Sequence, residues 1–305
     1  MHMARFGHVL TAMVTPMRDD GSVDFDEAQR LAKWLVANGN DGLVIAGTTG
    51  ESSTLTDPEK IDLWRAVREA VTAPVIAGTG SNDTAHSVHL TKEATRIGVD
   101  GILAVCPYYN RPSQSGIAAH IEAMANATNL PVVMYDIPVR SGRKINSDTM
   151  IDLVRSNSNI VAVKDAAGNP AETAVLMEKM SAAGHSSFEL YSGDDGFTLP
   201  FLSIGGSGVI GVATHWAGED HTEMMKRWFA GDADGARRVN SRLIESFAFE
   251  TGDSAPNPLP TKAMMQHLGF KVGSARLPMG PAPQSVHDNA VNVYENLLKR
   301  RAETK

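Results

Sequence analysis

One lysine, Lys164, closes the apolar run Ile160-Val161-Ala162-Val163, whereas the other lysines stand in polar helical or loop surroundings. An amine at the end of a buried strand meets little water, and burial favours its neutral form. A neutral primary amine attacks a carbonyl to give an imine, so Lys164 is a candidate Schiff-base residue. A strand-end lysine paired with a carboxylate would look the same, and Asp165 is the adjacent candidate. Position alone leaves both readings open.

Three further segments carry suitable groups, each directly after an apolar run. Gly47-Thr48-Thr49-Gly50-Glu51-Ser52 combines glycines, which admit a close ligand, with hydroxyls and N–H groups suited to a small carboxylate. No Gly-Lys-Ser/Thr follows, so it is not a P-loop; an ordinary strand-to-helix turn is the alternative. Tyr135-Asp136-Ile137-Pro138-Val139-Arg140-Ser141-Gly142 offers a phenol that can move protons and a guanidinium that can grip a carboxylate. Equally, Tyr135 could be a core residue and Arg140 a surface charge. Pro107-Tyr108-Tyr109-Asn110-Arg111-Pro112 is a rigid aromatic loop of a kind that serves interfaces as well as sites.

Other signals fail on inspection. Gly206-Ser207-Gly208-Val209-Ile210-Gly211 spells GxGxxG, but it precedes and includes a strand instead of linking strand to helix. His86 and His89 lie a turn apart without a following glutamate or a carboxylate cluster, so no metal is expected. Cys106 has no nucleophile signature and is expected to fill space at a strand end, and His215-Trp216 to be a packing pair.

The frame that holds these groups is readable from periodicity. Continuous runs of Val, Ile, Leu and Ala at Val9–Val14, Leu43–Ala46, Val75–Ala77, Gly101–Val105, Val132–Tyr135, Ile160–Val163, Phe188–Tyr191 and Gly208–Val212 read as buried parallel strands. Helical patterns lie between them. Ala28, Leu31, Ala32 and Leu35 share a face behind a candidate cap at Asp24, Thr56-Asp57-Pro58-Glu59 has capping-box spacing, and further helices start near Thr84 and Ser115. About eight strands at a spacing of roughly 30 residues predict an α/β fold, a (β/α)8 TIM barrel with a C-terminal helical extension. A doubly wound sheet is the alternative, since periodicity does not show closure. The expected division is a catalytic barrel over 1–215 and a helical region over 216–305 packed on it, with a Pro-rich break at Ala255–Pro260.

Composition narrows the classes. The chain has 305 residues, 42% of them hydrophobic, and a net charge of −7 with no basic stripe, which argues against nucleic acid. No apolar run reaches membrane-spanning length. One cysteine fits a reducing, cytoplasmic setting and leaves no thiolate cluster for zinc or iron–sulfur. Met1-His2-Met3 reads as a cloning scar.

Taken in order, these segments resemble the dihydrodipicolinate synthase / N-acetylneuraminate lyase family over nearly the whole chain. The resemblance rests on Ala12–Pro16, Gly47–Ser52, Ile76–Gly80, Pro107–Pro112, Tyr135–Gly142, Val163-Lys164-Asp165, Tyr191–Asp195, Asn257-Pro258-Leu259-Pro260 and Arg276-Leu277-Pro278. It implies a Schiff-base lyase that condenses pyruvate with L-aspartate-4-semialdehyde to 4-hydroxy-tetrahydrodipicolinate, in diaminopimelate and lysine biosynthesis, without metal or organic cofactor. Lys164 would form the imine. Tyr135, Thr48 and Tyr109 would relay protons, Tyr109 coming from a neighbouring subunit, which demands at least a homodimer; members of the family are commonly homotetramers. Thr49 would hold the pyruvate carboxylate, Arg140 the carboxylate of the aldehyde, and main-chain groups at Gly193 and Ile210 would line the pyruvate side. Arg140 separates this reading from the sugar-acid lyases, which generally lack arginine there. Asp136 stands where many members have asparagine, with no expected effect on the chemistry.

In lysine-inhibited members the inhibitor binds near positions matching Ser52, Ser53, Asn82 and Tyr108. Sensitive members often carry histidine at Asp57 or Lys60 and glutamate at His86, so weak or absent feedback is expected here. Two alternatives remain at this point. One is a different pyruvate-dependent aldolase, such as an N-acetylneuraminate or 2-keto-3-deoxy sugar acid lyase. The other is a non-catalytic ligand-binding barrel.

Overall fold

The structure, a computed structural model, describes residues 4–250, 252 and 255–303; the tripeptide Met1-His2-Met3 lies outside the described residues. Strands and helices alternate from the start: β1 (Val9–Ala12), α1 (Phe25–Ala37), β2 (Gly42–Ile45), α2 (Asp57–Ala70), β3 (Val75–Gly78), α3 (Thr84–Ile97), β4 (Gly101–Val105) and α4 (Gln114–Asn126). They continue as β5 (Val132–Asp136), α5 (Pro138–Ser141), α6 (Ser147–Ser156), β6 (Ile160–Asp165), α7 (Pro170–Ala182), β7 (Glu189–Ser192), α8 (Thr198–Leu202) and β8 (Gly208–Gly211). Four helices follow: α9 (Thr214–Phe229), α10 (Ala233–Phe249), α11 (Leu259–His267) and α12 (Gln284–Glu303).

The eight strands form a closed barrel in chain order, which excludes the doubly wound alternative. Their pairing is parallel, and six of the eight strands are buried at every residue, with Val105 of β4 and Val161 of β6 the two half-buried exceptions, as their unbroken apolar runs require. Local signals explain where the helices begin. The Asp24 carboxylate accepts from Glu27 N to cap α1, and Thr56 and Glu59 complete the capping box of α2. α3 starts at Thr84 behind an Asp83 cap, and α4 one residue before the expected Ser115.

Strand ends depart from expectation by one or two residues, and two departures matter. β5 runs through Asp136 and β6 through Asp165, so Lys164 lies within its strand and not just beyond it. Hydrophobicity marks where a strand is apolar, whereas hydrogen bonding marks where it ends, and these two strands end on buried polar residues.

Two compact units divide the chain: residues up to Ala73 with Gly211 onward, and Pro74–Ile210. In the first, α9 packs against β1, and α10, α11 and α12 pack on α9 and on one another. Thr11 Oγ1 lies 2.5 Å from Asn40 Oδ1 and 2.8 Å from Thr214 Oγ1. The second carries β3 through most of β8 with their helices.

Candidate active site

In the second unit, Tyr135 and Lys164 are register partners on β5 and β6, and Lys164 is in turn the partner of Tyr191 on β7. Partners on parallel strands point to the same face of a sheet. Lys164 is 4% exposed, and its Nζ lies 4.4 Å from the centroid of the Tyr135 ring. The amine and the phenol predicted to work together are therefore side by side, and both are buried.

Asp165, the alternative partner for Lys164, points to the other face by strand alternation. Its carboxylate is taken by Thr173 Oγ1 at 2.7 Å and by Ala167 N at 2.8 Å. The ion-pair reading of Lys164 thus loses its nearest candidate to a role in tying β6 to α7.

Gly193 is placed by β7. Its N–H donates to Asp165 O at 2.7 Å, and a Cβ built on it would lie 3.1 Å from Lys164 Cε and 2.9 Å from Ala166 Cβ. Glycine here leaves the space that the lysine side chain crosses. Tyr191, two residues earlier, is fully buried and donates its hydroxyl to Glu189 Oε2 at 3.0 Å. Ile210 is buried on β8.

Arg140 sits on the short α5, on an exposed turn beside Val139, with Gly142 closing that turn in the left-handed region at φ 72°. Tyr109 is 89% exposed and adopts φ 74°, with Arg111 at φ 46°, so the loop after β4 holds two non-glycine residues in the left-handed region. Asn110 Nδ2 anchors that loop by donating to Asn82 O at 2.8 Å. Tyr108 and Asn82 are half-buried, as is His86 on α3; burial raises the Tyr108 hydroxyl above the usual phenol range.

In the first unit, the loop Gly47–Ser52 leaves β2 with Ala46 at φ 55° and Glu51 at φ 59°. Such backbone needs outside support, and the support comes from α11 and the segments on either side of it. Glu51 accepts from Arg276 N at 2.8 Å and pairs with Lys262 at 2.6 Å, both side chains 3% exposed. Burial pulls the Lys262 ammonium down, partly opposed by Glu51. Thr49 is buried, and its Oγ1 accepts from Asn257 Nδ2 at 2.8 Å. As an acceptor there, the Thr49 hydroxyl keeps its own proton to donate to a carboxylate. Thr48 is half-buried at the tip, and Ser52 is half-buried where the loop turns towards α2.

Asn257 and Arg276 were legible as motif residues but not as supports for this loop, and Lys262 carried no signal in the sequence. Their partners lie more than 200 residues away in sequence, and no local pattern marks such a contact. The expectations for Cys106, His215-Trp216 and the GxGxxG run hold. Cys106 is buried and its thiol is pushed up to about 11, chiefly by burial. His215 accepts from Val14 N at 3.1 Å through Nε2 and faces Val212 O at 2.7 Å through Nδ1, while Trp216 Nε1 donates to Ser246. Gly208–Gly211 of the GxGxxG run is β8 itself. Among the described residues no group of three or more His, Cys, Asp or Glu could hold a metal ion, and no helix is long and apolar enough to cross a membrane.

Residues 5–296 match the model of the dihydrodipicolinate synthetase family. The chain belongs to that family. It is 47% identical over 279 residues to the 4-hydroxy-tetrahydrodipicolinate synthase of Moorella thermoacetica, covering 90% of this chain and 92% of that protein. Among solved structures, the dihydrodipicolinate synthase of Cyanidioschyzon merolae with lysine bound superposes with a TM-score of 0.92 at 41% identity, covering 96% of this chain and 99% of the other. A structure described as the first monomeric dihydrodipicolinate synthase variant gives a TM-score of 0.91 at 32% identity, covering 95% and 96%.

Proposed function

We propose that the chain catalyses the condensation of pyruvate with L-aspartate-4-semialdehyde to 4-hydroxy-tetrahydrodipicolinate, through an imine on Lys164. The observation that carries this reading is the buried Lys164 amine beside the Tyr135 ring, on neighbouring strands of a closed parallel barrel. Relatives that carry the synthase name at 42–47% identity support the choice of substrates.

In the proposed reaction the neutral Lys164 Nζ adds to C2 of pyruvate, and loss of water gives the iminium. Removal of a C3 proton yields the enamine, whose carbon attacks the aldehyde of the second substrate. The substrate amine then closes the ring on C2 and expels Lys164 as the free amine. Tyr135, with Thr48 and Tyr109, moves protons from the amine to the C2 hydroxyl that departs as water. Thr49 binds the pyruvate carboxylate through its N–H and hydroxyl. Arg140, exposed on α5, binds the carboxylate of the aldehyde in a bidentate manner, while Gly193 and Ile210 line the pyruvate side.

Tyr109 acts in this scheme on a neighbouring subunit, so the working unit is at least a dimer, and a homotetramer is the expected assembly. Its 89% exposure on the single chain suits a side chain that is covered by another copy.

Borohydride trapping with pyruvate, followed by peptide mass mapping, tests the reading. The adduct is expected on Lys164 and is expected to vanish in Lys164→Ala. An adduct on another lysine, or none, overturns it. Turnover of pyruvate with sugar aldehydes in preference to aspartate-4-semialdehyde would favour the sugar-acid lyase activity instead.

A further inference from the structure

Asp136 is fully buried and follows Tyr135 directly, at the last position of β5. Its side chain reaches across the excursion 137–143 to the chain's return. Oδ1 accepts from Ile145 N at 3.1 Å, and Oδ2 accepts from Lys144 Nζ at 3.1 Å. Residues 137–143, between these contacts, contain α5 and Arg140. The excursion is thus a loop closed at its base by one carboxylate, with Arg140 on its exposed part.

Other contacts hold this loop from within, and Ser141 joins its first and last residues beside the Asp136 contacts. Ser141 Oγ donates within the loop, at 3.0 Å from Ile137 O and 2.8 Å from Arg143 O, and Gly142 N donates to Pro138 O at 2.8 Å. Arg111 Nε donates to Gly142 O at 3.0 Å, and Gln114 Nε2 to Lys144 O at 2.8 Å.

We propose that Asp136 is a positioning residue: its carboxylate closes the base of the loop that carries Arg140, and protonating it loosens that loop. This rests on the reading of Arg140 as the group that binds the second substrate. The ionised form offers two acceptor oxygens, one for each contact. The protonated form loses the charge that holds Lys144, whose ammonium also lies 3.7 Å from Glu172 on α7 and can turn to it.

The charged surroundings of Asp136 allow such a proton to bind within a working pH range. Asp165, its register partner on β6, adds a second negative charge, and Lys144 opposes it. Cys106 at the end of β4 is held in its neutral form, and Arg143 lies near that thiol. Burial is the largest influence, and together these raise the Asp136 carboxyl to about 6. An asparagine at this position would keep an acceptor for Ile145 N without the charge.

The test compares the unaltered enzyme with Asp136→Asn and Asp136→Ala, measuring separate KM values for the two substrates at about pH 8 and about pH 5.5. The unaltered enzyme is expected to show a rise of roughly threefold or more in the KM for aspartate-4-semialdehyde at the lower pH, with the KM for pyruvate changing far less. Asp136→Asn is expected to remove that rise. Asp136→Ala is expected to raise the aldehyde KM at both pH values. An equal rise in the unaltered and Asp136→Asn enzymes, or parallel changes in both KM values, overturns the proposal.

Two controls separate this inference from the reading beneath it. Hydrogen exchange over residues 137–145, corrected for the intrinsic effect of pH, is expected to show lost protection at the lower pH in the unaltered protein and not in Asp136→Asn. Unchanged protection overturns the role of Asp136 whatever Arg140 does. An unchanged aldehyde KM in Arg140→Ala overturns the Arg140 reading, even where the exchange result holds.

Discussion

A Cβ on Gly193 would stand 3.1 Å from Cε of Lys164, close enough that one of them has to move. The other two contacts of that Cβ, 2.9 Å to Ala166 Cβ and 3.1 Å to Asp165 O, leave little room for the backbone to retreat. Gly193→Ala is therefore expected to displace the lysine side chain. Overpacking of this kind costs about 1–3 kcal/mol. Imine formation with pyruvate should slow by about tenfold or more, because a small misplacement of a nucleophile is enough for that. Stopped-flow trapping, alongside thermal unfolding, measures both.

Asn257 donates to Thr49 Oγ1 and accepts from Thr261 Oγ1 at 3.2 Å, which holds its amide in one orientation. Asn257→Ala frees the Thr49 hydroxyl to turn. The expected result is a rise of about fivefold in the KM for pyruvate, the effect of one net hydrogen bond. Steady-state kinetics with pyruvate varied at saturating aldehyde checks it, and an unchanged KM would mean that Thr49 is held by other contacts.

The buried pair Glu51–Lys262 predicts an asymmetry in stability. Lys262→Met leaves the Glu51 carboxylate enclosed without its ammonium and should cost about 3–5 kcal/mol. Glu51→Gln combined with Lys262→Met removes both charges and should recover much of that loss, since an amide can still accept from Arg276 N. Urea unfolding of the single and double variants makes the comparison.

Glu59 predicts a response to acid. Hydrogen bonds from Arg276 outweigh burial and hold its carboxyl down to about 2 from an ordinary 4.5. A carboxyl lowered on folding adds stability above about pH 4.5 and loses it as the pH falls through about 2. With both side chains about a fifth exposed, solvent screening limits the contribution to roughly 2 kcal/mol. Glu59→Gln should be less stable at neutral pH and should lose less between pH values of about 5 and 2.5, as read from melting temperatures across that range.

Lysine should inhibit weakly or not at all. His86 stands on α3 where sensitive relatives often carry a carboxylate, and Lys60 adds a buried cation on α2. Calorimetric titration with L-lysine checks this, and strong binding at concentrations below about 1 mM would contradict it.

The barrel and the adjacent Lys164 and Tyr135 were legible because each leaves a local mark. Buried parallel strands need uninterrupted apolar runs, and a lysine at the end of one stands out. Strand ends were less legible, because Asp136 and Asp165 are polar residues whose burial is compensated by Lys144, Ile145, Ala167 and Thr173. Asp136 shows the limit most clearly. As a letter in the sequence it was a change from asparagine without expected effect; its reach to Ile145 appears only once the loop is folded. The same holds for Gly193, whose necessity depends on the path of a side chain from the neighbouring strand.

The supports of the Gly47–Ser52 loop have a consequence for how the chain is made. Asn257, Lys262 and Arg276 leave the ribosome more than 200 residues after the loop they brace. A nascent chain with every barrel strand synthesised would still lack the partners of Thr49 and Glu51. The Gly47–Ser52 loop therefore takes its final form only near the end of translation, after the strands that flank it are complete.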